Sequence, residues 1–195
     1  SNMTGKLEGF HAISSNTLSN PFCVKMNAAK KETICSHCYS HNMLKSYRKN
    51  MQPCLQRNSD LLSSRKLLPS ELPIILDAFF RFNAHGELIN KRHLLNLVAV
   101  VNHNPHCTFA IWTKRKDIVK KVFASRTLPE NLILVYSNPK LNAVLDNPPP
   151  LFHKTFNNVD VDNMSERQNC TGQKCKDCLL CYKFNTTDTI IEKVK

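Results

Sequence analysis

Cysteine is the residue type in this 195-residue chain with the clearest capacity for chemistry, and seven of its nine cysteines fall into two spaced groups. The C-terminal run is Cys170-Thr171-Gly172-Gln173-Lys174-Cys175-Lys176-Asp177-Cys178-Leu179-Leu180-Cys181, with gaps of four, two and two residues. Successive two-residue gaps are the ferredoxin-type pattern for a 4Fe–4S cube. A loop folded over one face of the cube brings three sulfurs to three irons, and a more distant cysteine takes the fourth. Zinc ribbons more often pair one two-residue-gapped couple with a second couple far away in sequence, so zinc stands as the alternative.

The N-terminal group is Cys23 followed by Cys35-Ser36-His37-Cys38. Three accountings are open. Cys23, Cys35 and Cys38 can hold three irons and leave the fourth open to a ligand, while Cys170, Cys175, Cys178 and Cys181 close a second cluster. Adding Cys54 instead gives a closed zinc site, with another at the C-terminus. The two groups can also join around a single cluster. Cys54, next to Pro53 in a helix-like stretch, reads as a half-buried structural thiol, and Cys107, opening a strand, reads as core.

Reading clustered cysteines as metal ligands presumes a reducing compartment. No apolar run approaches the roughly 18 residues needed to span a bilayer, and the N-terminus lacks the shape of a secretory signal. The expectation is a cytoplasmic protein without a membrane segment, in which the sequons at Asn169 and Asn185 are chance. Ser1-Asn2-Met3 reads as a tag remnant. The excess of 27 Lys+Arg over 15 Asp+Glu, a formal +12, points to nucleic acid or another anionic partner, or to a solvated surface offset by anionic metal–thiolate sites.

The elements that must position these thiols read as α/β. Residues 4–20 are polar and read as extended chain or loop, and Phe22-Cys23-Val24 as a strand end. Asn42 to Ser64 carries helical spacing that Pro53 should kink or split. Strand-like runs at Ile74–Phe82, Cys107–Thr113 and Asn131–Tyr136 alternate with helical patterns at Leu88–Val101 and Lys116–Ser125, and Leu141–Leu145 reads as one helical turn. That alternation predicts βαβ units in one domain over residues 4–195: an open or partial βα barrel of about four parallel strands, with cysteine-rich segments at 23–54 and 170–181. Functional groups should then collect beyond the carboxyl ends of the strands, around residues 83–87, 113–115 and 137–138.

Two resemblances follow from these segments. An open three-cysteine site after a first strand, with Ala84-His85-Gly86-Glu87-Leu88 after a second, resembles the radical S-adenosylmethionine superfamily, whose Gly-Gly-Glu-Pro-like segment contacts the cofactor's amino group. His85 and Leu88 depart from that motif, eleven residues separate Cys23 from Cys35 where the superfamily has three, and the aromatic Tyr39 follows the last cysteine instead of preceding it. The chain is also similar to the phage gene product 88-like family. That likeness rests on Asn20-Pro21-Phe22-Cys23, Ile34-Cys35-Ser36-His37-Cys38-Tyr39, Phe82-Asn83-Ala84-His85-Gly86-Glu87-Leu88, Trp112-Thr113-Lys114 and the terminal cysteine run. The resemblances imply a reduced radical-S-adenosylmethionine-type fold, one or two 4Fe–4S clusters, S-adenosylmethionine as ligand, and Asn83, His85, Gly86 and Glu87 at the cofactor.

Other polar residues have plainer readings beside the functional ones. Glu87, His85 and Arg81 can form a ligand cluster, or Asn83–Glu87 can be an ordinary glycine turn. His103 and His106 read as a solvated loop. Trp112-Thr113-Lys114-Arg115 can clasp a nucleotide, although a strand tryptophan is usually core. No Gly-rich phosphate loop is present, and there is no local signature for a Ser–His–Asp or Cys–His set. Two functions remain: an iron–sulfur protein whose open iron would bind and cleave S-adenosylmethionine, or a non-catalytic zinc or structural-cluster protein whose basic surface binds nucleic acid or a host protein.

Overall fold

The structure is a computed structural model, and it describes residues 3–29, 32–163 and 166–194. Ser1 and Asn2 of the presumed tag remnant lie outside the described residues. A sheet of six strands organises the chain: β1 (Ala12–Ile13), β2 (Phe79–Phe82), β3 (Thr108–Thr113), β4 (Leu132–Leu141), β5 (Lys154–Val159) and β6 (Thr189–Lys193). All five pairings are parallel, and the spatial order is β1-β2-β3-β4-β5-β6. The expected alternation therefore holds, but the count of about four strands is corrected to six.

Crossover helices bury one face of this sheet. α4 (Lys91–His103) joins β2 to β3, and α5 (Lys116–Phe123) joins β3 to β4. Ile118, Val119, Val122 and Phe123 of α5 recur at helical spacing and are buried, as their pattern predicts. They meet Phe80, Phe82, Phe109, Ile111 and Leu134 from the strands in the main core. Each such side chain contributes about 1.5–3 kcal/mol on burial. α4 starts at Lys91 rather than Leu88, because the Asn90 side chain caps it by accepting from His93 N.

Side chains alternate across a strand, so the residues between these point the other way. Ala110, Trp112, Ile133 and Val135 form a second core under Phe10 and Tyr182, with Cys175, Leu179 and Cys181 packed against it. A one-turn helix, α6 (Cys175–Cys178), carries the first of those thiols together with Cys178. One sheet face is thus helix-covered and the other is covered by the cysteine-bearing C-terminal segment.

Several local expectations are corrected. Phe22-Cys23-Val24 lies inside α1 (Pro21–Ala28), not at a strand end, because Asn20 caps the helix and Pro21 opens it. Ile74–Phe82 is strand only from Phe79 onward. Residues 4–20 include a short 3-10 turn (Gly5–Leu7) and the edge strand β1. Leu141–Leu145 is not helical: β4 runs on to Leu141, and residues 143–146 are irregular. The 42–64 stretch splits, as Pro53 requires, into α2 (Tyr39–Lys45) and α3 (Gln52–Ser64), with Pro53 in the first turn of α3. Cys54 is exposed on that turn rather than half-buried, whereas Cys107 is buried at the start of β3. Asn169 and Asn185 are tied to the last strands: Asn169 Nδ2 donates to Thr189 O, and Asn185 Oδ1 accepts from Lys154 Nζ at 2.7 Å.

Candidate functional site

Beyond the carboxyl ends of β2 to β5 lies a cavity of about 210 Å³. The three N-terminal cysteines form one wall of it, and Asn83, His85, Gly86 and Glu87 form another. Arg81, Trp112, Lys114, Ser137 and Asn158 come to it from the strands and their ends. The predicted cysteine and cofactor residues of the N-terminal half therefore meet at one place.

The cysteine wall is held by specific bonds. Asn20 is the hinge of the arrangement: its Oδ1 accepts from Phe22 N to start α1, and its Nδ2 donates to Glu87 O at 2.8 Å. Cys23, three residues on, is thereby fixed over the segment that follows β2. Asn27 Nδ2 donates to Cys35 O at 3.0 Å, which ties the far end of α1 to the second cysteine. Ile34 N donates to Pro139 O, docking the Cys35 turn on the extension of β4. Cys38 then caps α2, whose Ser40 hydroxyl bonds to His85 Nδ1 at 3.0 Å.

The 83–87 segment needs its glycine. Gly86 has φ +84°, and a Cβ there would lie 2.2 Å from Ser15 Oγ and 2.4 Å from Ser15 O. Asn83 also takes a left-handed conformation (φ 57°) and donates to Trp112 O. Glu87 is 3% exposed, and its carboxylate accepts from Thr113 Oγ1 (2.5 Å), Lys114 N (2.7 Å) and Leu88 N (2.7 Å). The plainer reading of this segment holds: it is a glycine turn, and it also lines the cavity. Glu87's carboxylate clasps the end of β3, while its carbonyl accepts from Asn20 and Ser15.

Burial dominates the electrostatics. It pushes the Cys23 and Cys35 thiols up, with neighbouring thiols adding to the shift and Lys114 opposing it. Burial likewise raises Glu87 above the usual carboxylate range, against the pull of Lys114 and the three hydrogen bonds. The His85 imidazole is held down at about 4 by burial, with the Arg81 and Arg48 charges in support, so it is neutral at pH 7.

The C-terminal cysteines gather elsewhere. Cys170 hangs on β6 through Cys170 N to Ile191 O, and Cys175 and Cys181 pack on the second sheet face. Cys181 is pushed up to about 12, first by burial and then by Cys175, Cys170 and Cys178, with Arg81 opposing. Two donors face sulfur here, Lys6 Nζ to Cys170 at 3.8 Å and Gln173 Nε2 to Cys178 at 3.5 Å. None of these four cysteines lines the cavity that holds the other three. Among the described residues, no three His, Cys, Asp or Glu side chains converge as a ready site for one metal ion.

A family model described as Gene product 88 matches residues 5–184, spanning both cysteine groups and every cavity residue named above. The chain belongs to the Gene product 88 family. This is a family of phage proteins. Comparison of the Gene product 88 chain with curated proteins and with solved structures gives no match. Among its described residues no helix is long and apolar enough to cross a membrane.

Some cavity residues of this Gene product 88 protein had no signal in the sequence. Ser40 and His41 follow Cys38 into the wall through α2, and Phe156 and Asn158 arrive on β5. Asn20 and Ser15 act on the site through Glu87 and Gly86. The adjacent Asn20-Pro21 pair was the legible clue, as a helix-start signal just before Cys23.

Proposed function

We propose that this phage protein binds two separate iron–sulfur clusters in the host cytoplasm, and that the one at the cavity is the reactive one. The observation that carries the reading is the cavity itself, which has three cysteines in its wall and no fourth. Three thiolates on a 4Fe–4S cube leave one iron without a protein ligand, facing whatever enters the cavity. A single zinc would need its sulfurs within about 4 Å of one another, given Zn–S bonds near 2.3 Å. Cys170, Cys175, Cys178 and Cys181 would hold the second cluster, with Lys6 and Gln173 donating to its sulfurs.

The chain order supports S-adenosylmethionine as the ligand of the open iron. Cysteines follow β1, and Ala84-His85-Gly86-Glu87 follows β2, as in the radical S-adenosylmethionine resemblance. A reduced cluster would supply the electron that cleaves such a cofactor. The chain's own residues orient: Asn20 and Ser15 hold the Glu87 segment, and Lys114 places a cation beside the thiols. The cavity is smaller than the roughly 300–1,000 Å³ of typical ligand pockets.

Anaerobic purification tests the proposal. Brown protein with equal iron and sulfide supports it, and a spectral change with S-adenosylmethionine supports the ligand. Colourless protein with stoichiometric zinc overturns it.

A further inference from the structure

The wall that supplies Cys23, Cys35 and Cys38 is also basic. The described residues of 20–59 include five Lys+Arg and one Asp+Glu. Between Thr33 and Ser59 there is no acidic residue at all. Lys45, Arg48 and Lys49 follow one another along α2 and the turn after it. Across the cavity, Lys114, Arg115 and Lys116 sit at the end of β3.

Two aromatic rings stand out on this basic wall. Tyr39 and Tyr47 are 64% and 66% exposed, and their hydroxyls are 2.7 Å apart. Exposed tyrosine rings offer faces on which bases can stack with little regard to sequence. The pair adjoins the cavity. Tyr39 follows Cys38, its neighbours Ser40 and His41 line the cavity, and the Arg48 charge reaches His85. On the cavity floor, the Arg81 guanidinium lies 3.8 Å over the Trp112 ring, and both Arg81 Nε and Trp112 Nε1 are buried donors without a partner.

We infer that this wall binds single-stranded nucleic acid, with bases stacked on Tyr39 and Tyr47 and phosphates on Lys45, Arg48 and Lys49. A solvated basic face would not need adjacent exposed rings beside it. The inference stands apart from the cluster reading, because none of the five wall residues is a proposed metal ligand.

Fluorescence anisotropy with a labelled 15-nucleotide oligomer tests it, using dT, U and duplex probes on the full chain. Single strands should bind more tightly than duplex, with affinity falling steeply with salt. Comparing the dT and U probes tells DNA from RNA. Tyr39→Ala and Tyr47→Ala should each weaken binding about 5- to 150-fold, while Tyr39→Phe retains it. Gln at Lys45, Arg48 and Lys49 together should lower the salt slope by about 2. Unchanged iron content and thermal midpoint in these variants would separate the surface from the cluster. Absence of binding, equal binding of duplex or a sulfated polysaccharide, or indifference to both Tyr→Ala changes would overturn the inference.

Discussion

The Asn20 amide donates to the Glu87 carbonyl across 2.8 Å and 67 residues of sequence, while its own carbonyl oxygen starts helix α1. One side chain therefore sets both the helix that bears Cys23 and its height over the turn after β2. Asn20→Ala should cost about 1–2 kcal/mol, the loss of a cap and one further hydrogen bond. It should also make Cys23 react faster with iodoacetamide than in the parent protein. A parent-like labelling rate would show that Asn20 does not hold the helix in place.

Gly86 faces a harder limit. Its positive φ and the 2.4 Å approach of Ser15 O leave no space for a side chain. Gly86→Ala should destabilise by more than about 2 kcal/mol, read as a lower urea midpoint. The backbone of Ser15 would have to move to accommodate it. Ser15→Ala relieves the contact with Oγ but not that with the carbonyl, so it should rescue the variant only in part.

The two cysteine groups should load independently. Cys35→Ala should remove about four irons per chain and leave the rest, and Cys178→Ala should remove the complementary set. Cys54→Ala and Cys107→Ala should change neither count. Loss of all iron from either single variant would mean that one shared cluster joins the groups.

Acid should unfold the protein early because of buried histidines. Burial holds His93 at about 4, down from 6.5, and its Nδ1 accepts from Ile89 N as a neutral ring. Between those two values the unfolded chain takes up a proton that the folded one refuses, so stability falls as pH drops from about 6.5 to 4. The gap corresponds to up to about 3 kcal/mol. His93→Gln keeps an acceptor for Ile89, and its urea midpoint should drop less between pH 7 and 5 than the parent's. His85 shifts in the same direction, so a smaller fall should persist.

The central strands and α5 were legible because their apolar runs and 3.6-residue periodicity have no competing reading. β5 and β6 were not. β5 reads Lys-Thr-Phe-Asn-Asn-Val, and its polar residues are buried through bonds that only the fold supplies. Lys154 Nζ donates to Asn185 Oδ1 and Thr187 O, and Asn157 Nδ2 to Leu145 O and Ile190 O. β1 is two residues long and has no periodicity to detect. For the site, cysteine spacing identified the two groups, but the separation of three from four needed the sheet. The apolar triplet Phe22-Cys23-Val24 was misleading because the Asn20-Pro21 helix start outranks a short apolar run.

Strand order in space follows strand order in sequence throughout this sheet. During synthesis, each strand can therefore add to a template already emerged from the ribosome, without waiting for a later partner to slot between earlier ones. The cavity wall with its three thiols is translated before β2, and the four later thiols come just ahead of β6. The first cysteine set is thus complete in the growing chain well before the last edge of the sheet is made.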